Sequence, residues 1–121
     1  MREETSLYKD KRTAPRMPAD WNVRARLLGA DEPFGSLQMD NVSKHGVSLR
    51  VGRVLERDSI LKLSFTPDDG GAEVHAYATV AWSTAAAQPH AGLRFMGIGE
   101  ADEERIGALV DRWLNEHQTR H

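Results

Sequence analysis

The chain has 121 residues, a formal net charge of −2 and no cysteine. That length suits one domain with its own core; the charge gives none of the overall basic field of a general nucleic-acid binder, and disulfide or thiolate chemistry is excluded. No apolar run approaches membrane-spanning length, and the first residues, Met-Arg-Glu-Glu-Thr-Ser, lack a signal peptide's apolar stretch, so the expectation is a cytoplasmic protein without membrane insertion.

Residues 1–20 show little apolar periodicity and hold Pro15 and Pro18, which keep the segment from being helical. They are expected to form a mobile arm. It lies in the basic part of the chain, since residues 1–26 carry seven Lys/Arg against four Asp/Glu, whereas residues 98–121 carry three against six. Alternation then begins. Trp21, Val23, Ala25 and Leu27 fall on one face and Arg24 and Arg26 on the other, the pattern of a half-buried strand. Asp31-Glu-Pro33 breaks it. Leu37 and Met39 lead into a polar turn over Asn41–Gly46, and Val47, Leu49 and Val51 resume period two.

Leu61, Leu63 and Phe65 form a further strand, closed by Pro67-Asp-Asp-Gly-Gly71, whose glycines tolerate the positive φ of a hairpin turn. Val74, Ala76, Ala78, Val80 and Trp82 alternate next. After a loop containing Pro89, Leu93-Arg-Phe95 forms the last strand. Around Glu100 the period changes. Ile106, Leu109, Val110, Trp113 and Leu114 make the apolar stripe of an amphipathic helix, and Asp102, Glu103 and Glu104 crowd its first turn, where the helix dipole favours negative charge. The expected organisation is a mobile arm over 1–20, a small antiparallel barrel or sandwich over 21–98, and a helix over 100–117 covering one end or side.

Two short runs carry the chemistry. Arg12-Thr-Ala-Pro-Arg16 sets two guanidinium groups four residues apart; each grips phosphate bidentately or stacks its flat face on a ring. Asn41-Val-Ser-Lys-His-Gly46 offers an amide, a hydroxyl and a glycine in fixed order. Asn41 supplies both a donor and an acceptor, Ser43 a hydroxyl, and Gly46 a conformation or close approach that a side chain would block. An Asx-type turn between strands would explain the same residues without a ligand. Taken together, the two runs suit an anionic, base-containing ligand.

The pair of runs resembles the RxxxR and (D/N)xSxxG signature of the PilZ domain, and the resemblance extends from about Lys11 to Leu114. It implies a six-stranded antiparallel β-barrel with one C-terminal helix, and a bacterial receptor for cyclic di-GMP. It further implies that Arg12 and Arg16 close over phosphate and guanine, that Asn41 reaches the guanine edge, and that Ser43 bonds phosphate or base. A long basic residue at the position of Lys11 accompanies binding of two stacked, intercalated ligand molecules in the family, and lysine here favours that mode. Trp82 stands where relatives often carry an aromatic or polar residue near the ligand; it stacks on guanine or packs in the core. Trp21, Trp113 and Phe95 read as core, Arg94 faces solvent or the site, and His45 takes a structural or lip position.

The remaining histidines show no metal-ligand spacing. Enzyme motifs are missing too: Asn41 and His45 stand where a nucleophile elbow around Ser43 would need glycine, and no phosphate-binding glycine loop is present. A barrel for single-stranded nucleic acid would want several aromatics interleaved with lysines, so DNA and RNA are not expected partners. The expectation is a cyclic di-GMP receptor that orders its arm on binding and signals to a separate, unidentified partner protein. The alternative is an adaptor of the same fold that binds only protein.

Overall fold

A computed structural model describes residues 15–29 and 33–118. Among the described residues, seven strands follow one another: β1 (Met17–Pro18), β2 (Asn22–Leu27), β3 (Pro33–Ser43), β4 (Gly46–Arg50), β5 (Ile60–Phe65), β6 (Val74–Ser83) and β7 (His90–Ile98). One helix among the described residues, α1 (Glu100–Gln118), follows them. All pairings are antiparallel and run β3-β2-β5-β6-β7-β4, with β4 returning to β3. The six strands therefore close into a barrel, and β1 adds a short seventh pairing on β3.

Period-two alternation decides what fills the barrel. Val23 and Ala25 of β2, Leu61, Leu63 and Phe65 of β5, and Val74, Ala76, Ala78 and Val80 of β6 all point inward and are buried. Met39 and Val42, Val47 and Leu49, and Ala91 and Leu93 complete the lining from β3, β4 and β7. Trp21 stacks on Phe65 at the rim, with ring centroids 6.1 Å apart. Phe95 and Trp113 are partly buried against the same core.

At four places the pairing slips by one residue, the first of them at Phe34, unmatched between Ala25–Gly35 and Arg26–Pro33. Asp40 is unmatched between the pairs Met39–Leu49 and Asn41–Ser48. Ala81 is unmatched between Val80–Leu93 and Trp82–Gly92, and Met96 between Tyr77–Gly97 and Ala78–Phe95. Such bulges bend a strand and increase its twist, which a small closed barrel requires. Each also reverses the facing of the residues beyond it.

The described end of the expected arm is not free. Met17 and Ala19 are buried, Met17 pairs with Val42, and the Ala19 N–H donates to the Asp40 carbonyl at 3.1 Å. The apolar side chains at alternate positions dock residues 15–20 on β3 despite Pro15 and Pro18; Pro18 sits at the end of a two-residue strand, where a missing N–H costs little. The polar turn is also shorter than its sequence suggests. Asn41–Ser43 belong to β3, and only Lys44 and His45 connect it to β4.

Helix α1 packs against β1 and β3, with Ile106 and Val110 buried and Gly107 lying against the Lys44 side chain. Its second turn is fastened to the β5–β6 turn by Arg105. The Arg105 Nε and Nη2 donate to Asp69 Oδ2 and Oδ1 at 2.8 and 3.0 Å, and Nη2 also donates to the Ala72 carbonyl at 2.7 Å. This two-pronged bond holds the Asp69 carboxyl well below the usual carboxylate range, helped by the Gly71 N–H that donates to it. A carboxylate whose pKa is depressed by folding stabilises the fold above its unfolded value of about 4, and that contribution fades as pH falls from there through the folded value. The melting-temperature difference between wild type and Asp69→Asn is expected to be largest near neutrality and to shrink below about pH 4, which thermal melts across a pH series would measure.

Candidate functional site

Strand β1 delivers Arg16. With Met17 and Ala19 turned inward, Arg16 and Pro18 stand on the outer wall of the barrel, and Pro18 pairs directly with Asn41. The Arg16 Nη1 donates to Asn41 Oδ1 at 2.7 Å. The two halves of the sequence signal, 25 positions apart, thus meet in one hydrogen bond. Crowding by neighbouring protein lowers the Arg16 pKa from its ordinary value, but an arginine keeps its charge at any cellular pH. Its partner is a neutral amide, and no carboxylate within the described residues pairs with it.

Asn41 faces outward only because of the bulge at Asp40. Met39 points into the core, and strict alternation would send residue 41 after it. Asp40, next to the inward Met39, faces outward by ordinary alternation, and there Arg50 Nε bonds Asp40 Oδ1 at 3.0 Å and the His90 Nδ1 lies 3.6 Å from Oδ2. The acid beside Asn41 is therefore already met by a cation, and it does not oppose an anion at Arg16.

From Asn41 a row of directly paired residues crosses the outer wall: Asn41 with Ser48, Ser48 with Gly92, and Gly92 with Trp82. Directly paired residues share a face. The bulge at Ala81 turns Trp82 out of the inward series Val74, Ala76, Ala78 and Val80, and it stands 47% exposed. Its indole covers Gly92, where a Cβ would collide with the indole Nε1. The ring thus lies over β7, two strands from Asn41, a distance of roughly 10 Å at the usual strand spacing.

The other expected site residues divide. Ser43 is 1% exposed, and its Oγ accepts the His45 N–H at 3.0 Å, so in this state it shapes the turn. Gly46 has no positive φ; it is required by closeness, because a Cβ there would run into the Leu93 carbonyl oxygen. His45 is exposed, and its carbonyl accepts the Phe95 N–H at 2.9 Å. Arg94 is exposed on the outer wall and pairs with Gly46. Lys11 and Arg12 lie outside the described residues. Sequence reasoning missed Ser48 and Gly92. Ser48 was within reach, because a two-residue Lys44-His45 turn sets it opposite Asn41 by counting back from Ser43–Gly46.

The result is a strip with a charged fork at one end, an amide beside it, a floor of small residues and a flat aromatic face at the other end. Such a strip suits a planar, anionic ligand laid across the strands. Within the described residues, no group of three or more His, Asp or Glu is placed to hold a metal ion, and no helix is long and apolar enough to cross a membrane.

The PilZ domain family model matches residues 10–112. Among curated proteins, no sequence matches. Solved structures do. The Bacillus subtilis inhibitor of motility MotI/DgrA superposes with a TM-score of 0.73 at 16% identity, over 88% of this chain and 52% of that one, so the chain spans about half of that protein's length. The PilZ domain of YcgR from Escherichia coli, solved with cyclic di-GMP, gives a TM-score of 0.65 at 12% identity, over 88% of this chain and 95% of that one. The PilZ domain of CeSA from a cellulose-synthesizing bacterium gives 0.59 at 15% identity, over 81% and 96% of the two chains. At such identities the likeness is one of fold.

The fit of Trp82 over Gly92 yields a local test. Gly92→Ala leaves no room for the indole, so the variant is expected to expose Trp82 further and to lose about 1–3 kcal/mol of stability from overpacking. A red-shifted tryptophan emission together with a lowered melting temperature would register both effects.

Proposed function

Because this chain belongs to the PilZ domain family, we propose that it is a bacterial receptor for cyclic di-GMP, a binding module and not an enzyme. The observation that carries the reading is the Arg16–Asn41 hydrogen bond at 2.7 Å, which joins the arginine motif to the Asn-x-Ser-x-x-Gly motif on one face of the barrel. In this reading Arg16 exchanges the neutral Asn41 oxygen for a phosphate, a stronger charge-assisted partner. Asn41 is then released to hydrogen-bond the guanine edge. Arg12 supplies the second guanidinium, and Lys11 favours two intercalated ligand molecules.

The ligand fixes the segment carrying Lys11 and Arg12 against the outer wall, at a cost of about 1–2 kcal/mol for each residue ordered. Charge-assisted contacts must offset that cost. The surface so formed is read by a separate partner protein. The YcgR structure supports the choice of ligand, since a PilZ domain of the same fold was solved with cyclic di-GMP. Trp82, with its exposed face at the far end of the strip, offers a stacking platform for a base.

Calorimetric titration of cyclic di-GMP is expected to give saturable binding to wild type and none with GTP. Arg16→Ala is expected to weaken binding by at least about tenfold, the equivalent of about 1.5 kcal/mol for a hydrogen bond to a charged group. The stoichiometry would count one ligand or two. No heat and no melting shift with wild type would overturn the reading and leave the protein-only adaptor.

A further inference from the structure

We propose that the outer wall formed by β2, β5, β6 and β7 is a docking surface for an acidic segment of a partner protein bearing an apolar anchor. The proposal rests on the reading that the chain acts through a separate protein, and its test does not involve the nucleotide.

The register places the relevant groups. Arg26 pairs with Lys62, Lys62 with Tyr77, and Tyr77 with Gly97, so one outward row crosses four strands. At ordinary strand spacing that row spans about 14 Å. Arg94 lies on the same wall, two rows along beside Thr79. Arg26, Lys62 and Arg94 are exposed, and none has an ion pair within the described residues. The nearby acid, Glu73, is already engaged by Arg24 and lies 3.5 Å from His75.

Two large apolar side chains stand among these cations. Met96, which follows the inward Phe95, is 57% exposed, and Tyr77, packed on Gly97, is 43% exposed. The fold gains little from this arrangement. Like charges directly opposite one another across a strand pair, as Arg26 and Lys62 are, destabilise a sheet, and the exposed Tyr77 and Met96 bury little apolar area. An occupant with carboxylates around an apolar side chain would relieve both costs at once.

The same surroundings favour a short protein segment over a long polyanion. The chain's net charge is −2, and α1 starts two residues beyond β7 with Glu100, Asp102 and Glu103 in its first turn. A nucleic acid or an anionic membrane extending past the patch would meet those carboxylates. Single-stranded nucleic acid also wants several successive stacking faces, whereas Tyr77 is the one aromatic in the row.

The experiment selects short random displayed peptides on wild-type protein, then compares their binding to Arg26→Glu/Lys62→Glu and to Tyr77→Ala/Met96→Ala. An oligothymidine and phosphatidylserine vesicles serve as competing probes. The expected result is peptides with Asp or Glu flanking a large apolar residue, weakened at least about tenfold by either double variant, with the cyclic di-GMP titration of the charge-reversed variant unchanged. Lys62→Glu alone should also raise the melting temperature by roughly 1–4 °C, because it converts a repulsive pair into an attractive one. Selection of peptides without acidic residues, no selectable peptide, binding indifferent to both double variants, or equal binding of oligothymidine or vesicles would each overturn the proposal.

Discussion

Strand β3 is the member on which the other parts depend. Its first half pairs with β2, its second half with β4, and β1 joins it beside β2 through Met17–Val42 and Pro18–Asn41. The same eleven residues therefore close the barrel, seat the segment that carries Arg16, and present Asn41. Helix α1 rests on β1 and β3 as well. Loss of the β3–β4 ladder would open the barrel and separate the elements of the candidate site in one event.

The bulges do the rest of the positioning. With Asp40 paired in regular register, Asn41 would follow Met39 into the core, and with Ala81 so paired, Trp82 would follow Val80. A core placement for Asn41 would bury an amide among Met39, Val42 and Leu93, at a cost of a few kcal/mol unless it found partners. The bulges that let a small sheet curl shut thus also export polar and aromatic groups to its surface. Closure of the fold and construction of the outer strip have a common physical origin.

Much of this was legible in the sequence. The inward series of β2, β5 and β6 and the stripe Ile106, Leu109, Val110, Trp113 and Leu114 follow from periodicity, because burial acts on every second strand residue and on one face of a helix. The two motifs pointed to one site, and Arg16 and Asn41 do meet. Less visible were the facings of Asn41 and Trp82, since a bulge leaves no compositional mark and reverses parity. The docking of residues 15–20 was hidden by Pro15 and Pro18, which exclude helix but permit a short pairing that Met17 and Ala19 anchor. The closeness demanded at Gly46 depends on the Leu93 carbonyl 47 positions away, beyond any local reading.

Closure has a further consequence for how the molecule is recognised. A strand added from outside needs a row of unpaired main-chain donors and acceptors. Here every strand from β2 to β7 has neighbours on both sides, and β1 is two residues long with a proline among them. The main chain offers a visiting peptide almost nothing to pair with. Recognition must therefore be written in side chains on a fixed cylinder, where each position can change without disturbing the ladder beneath it. Such a surface can acquire a new partner by a few substitutions while its fold stays the same.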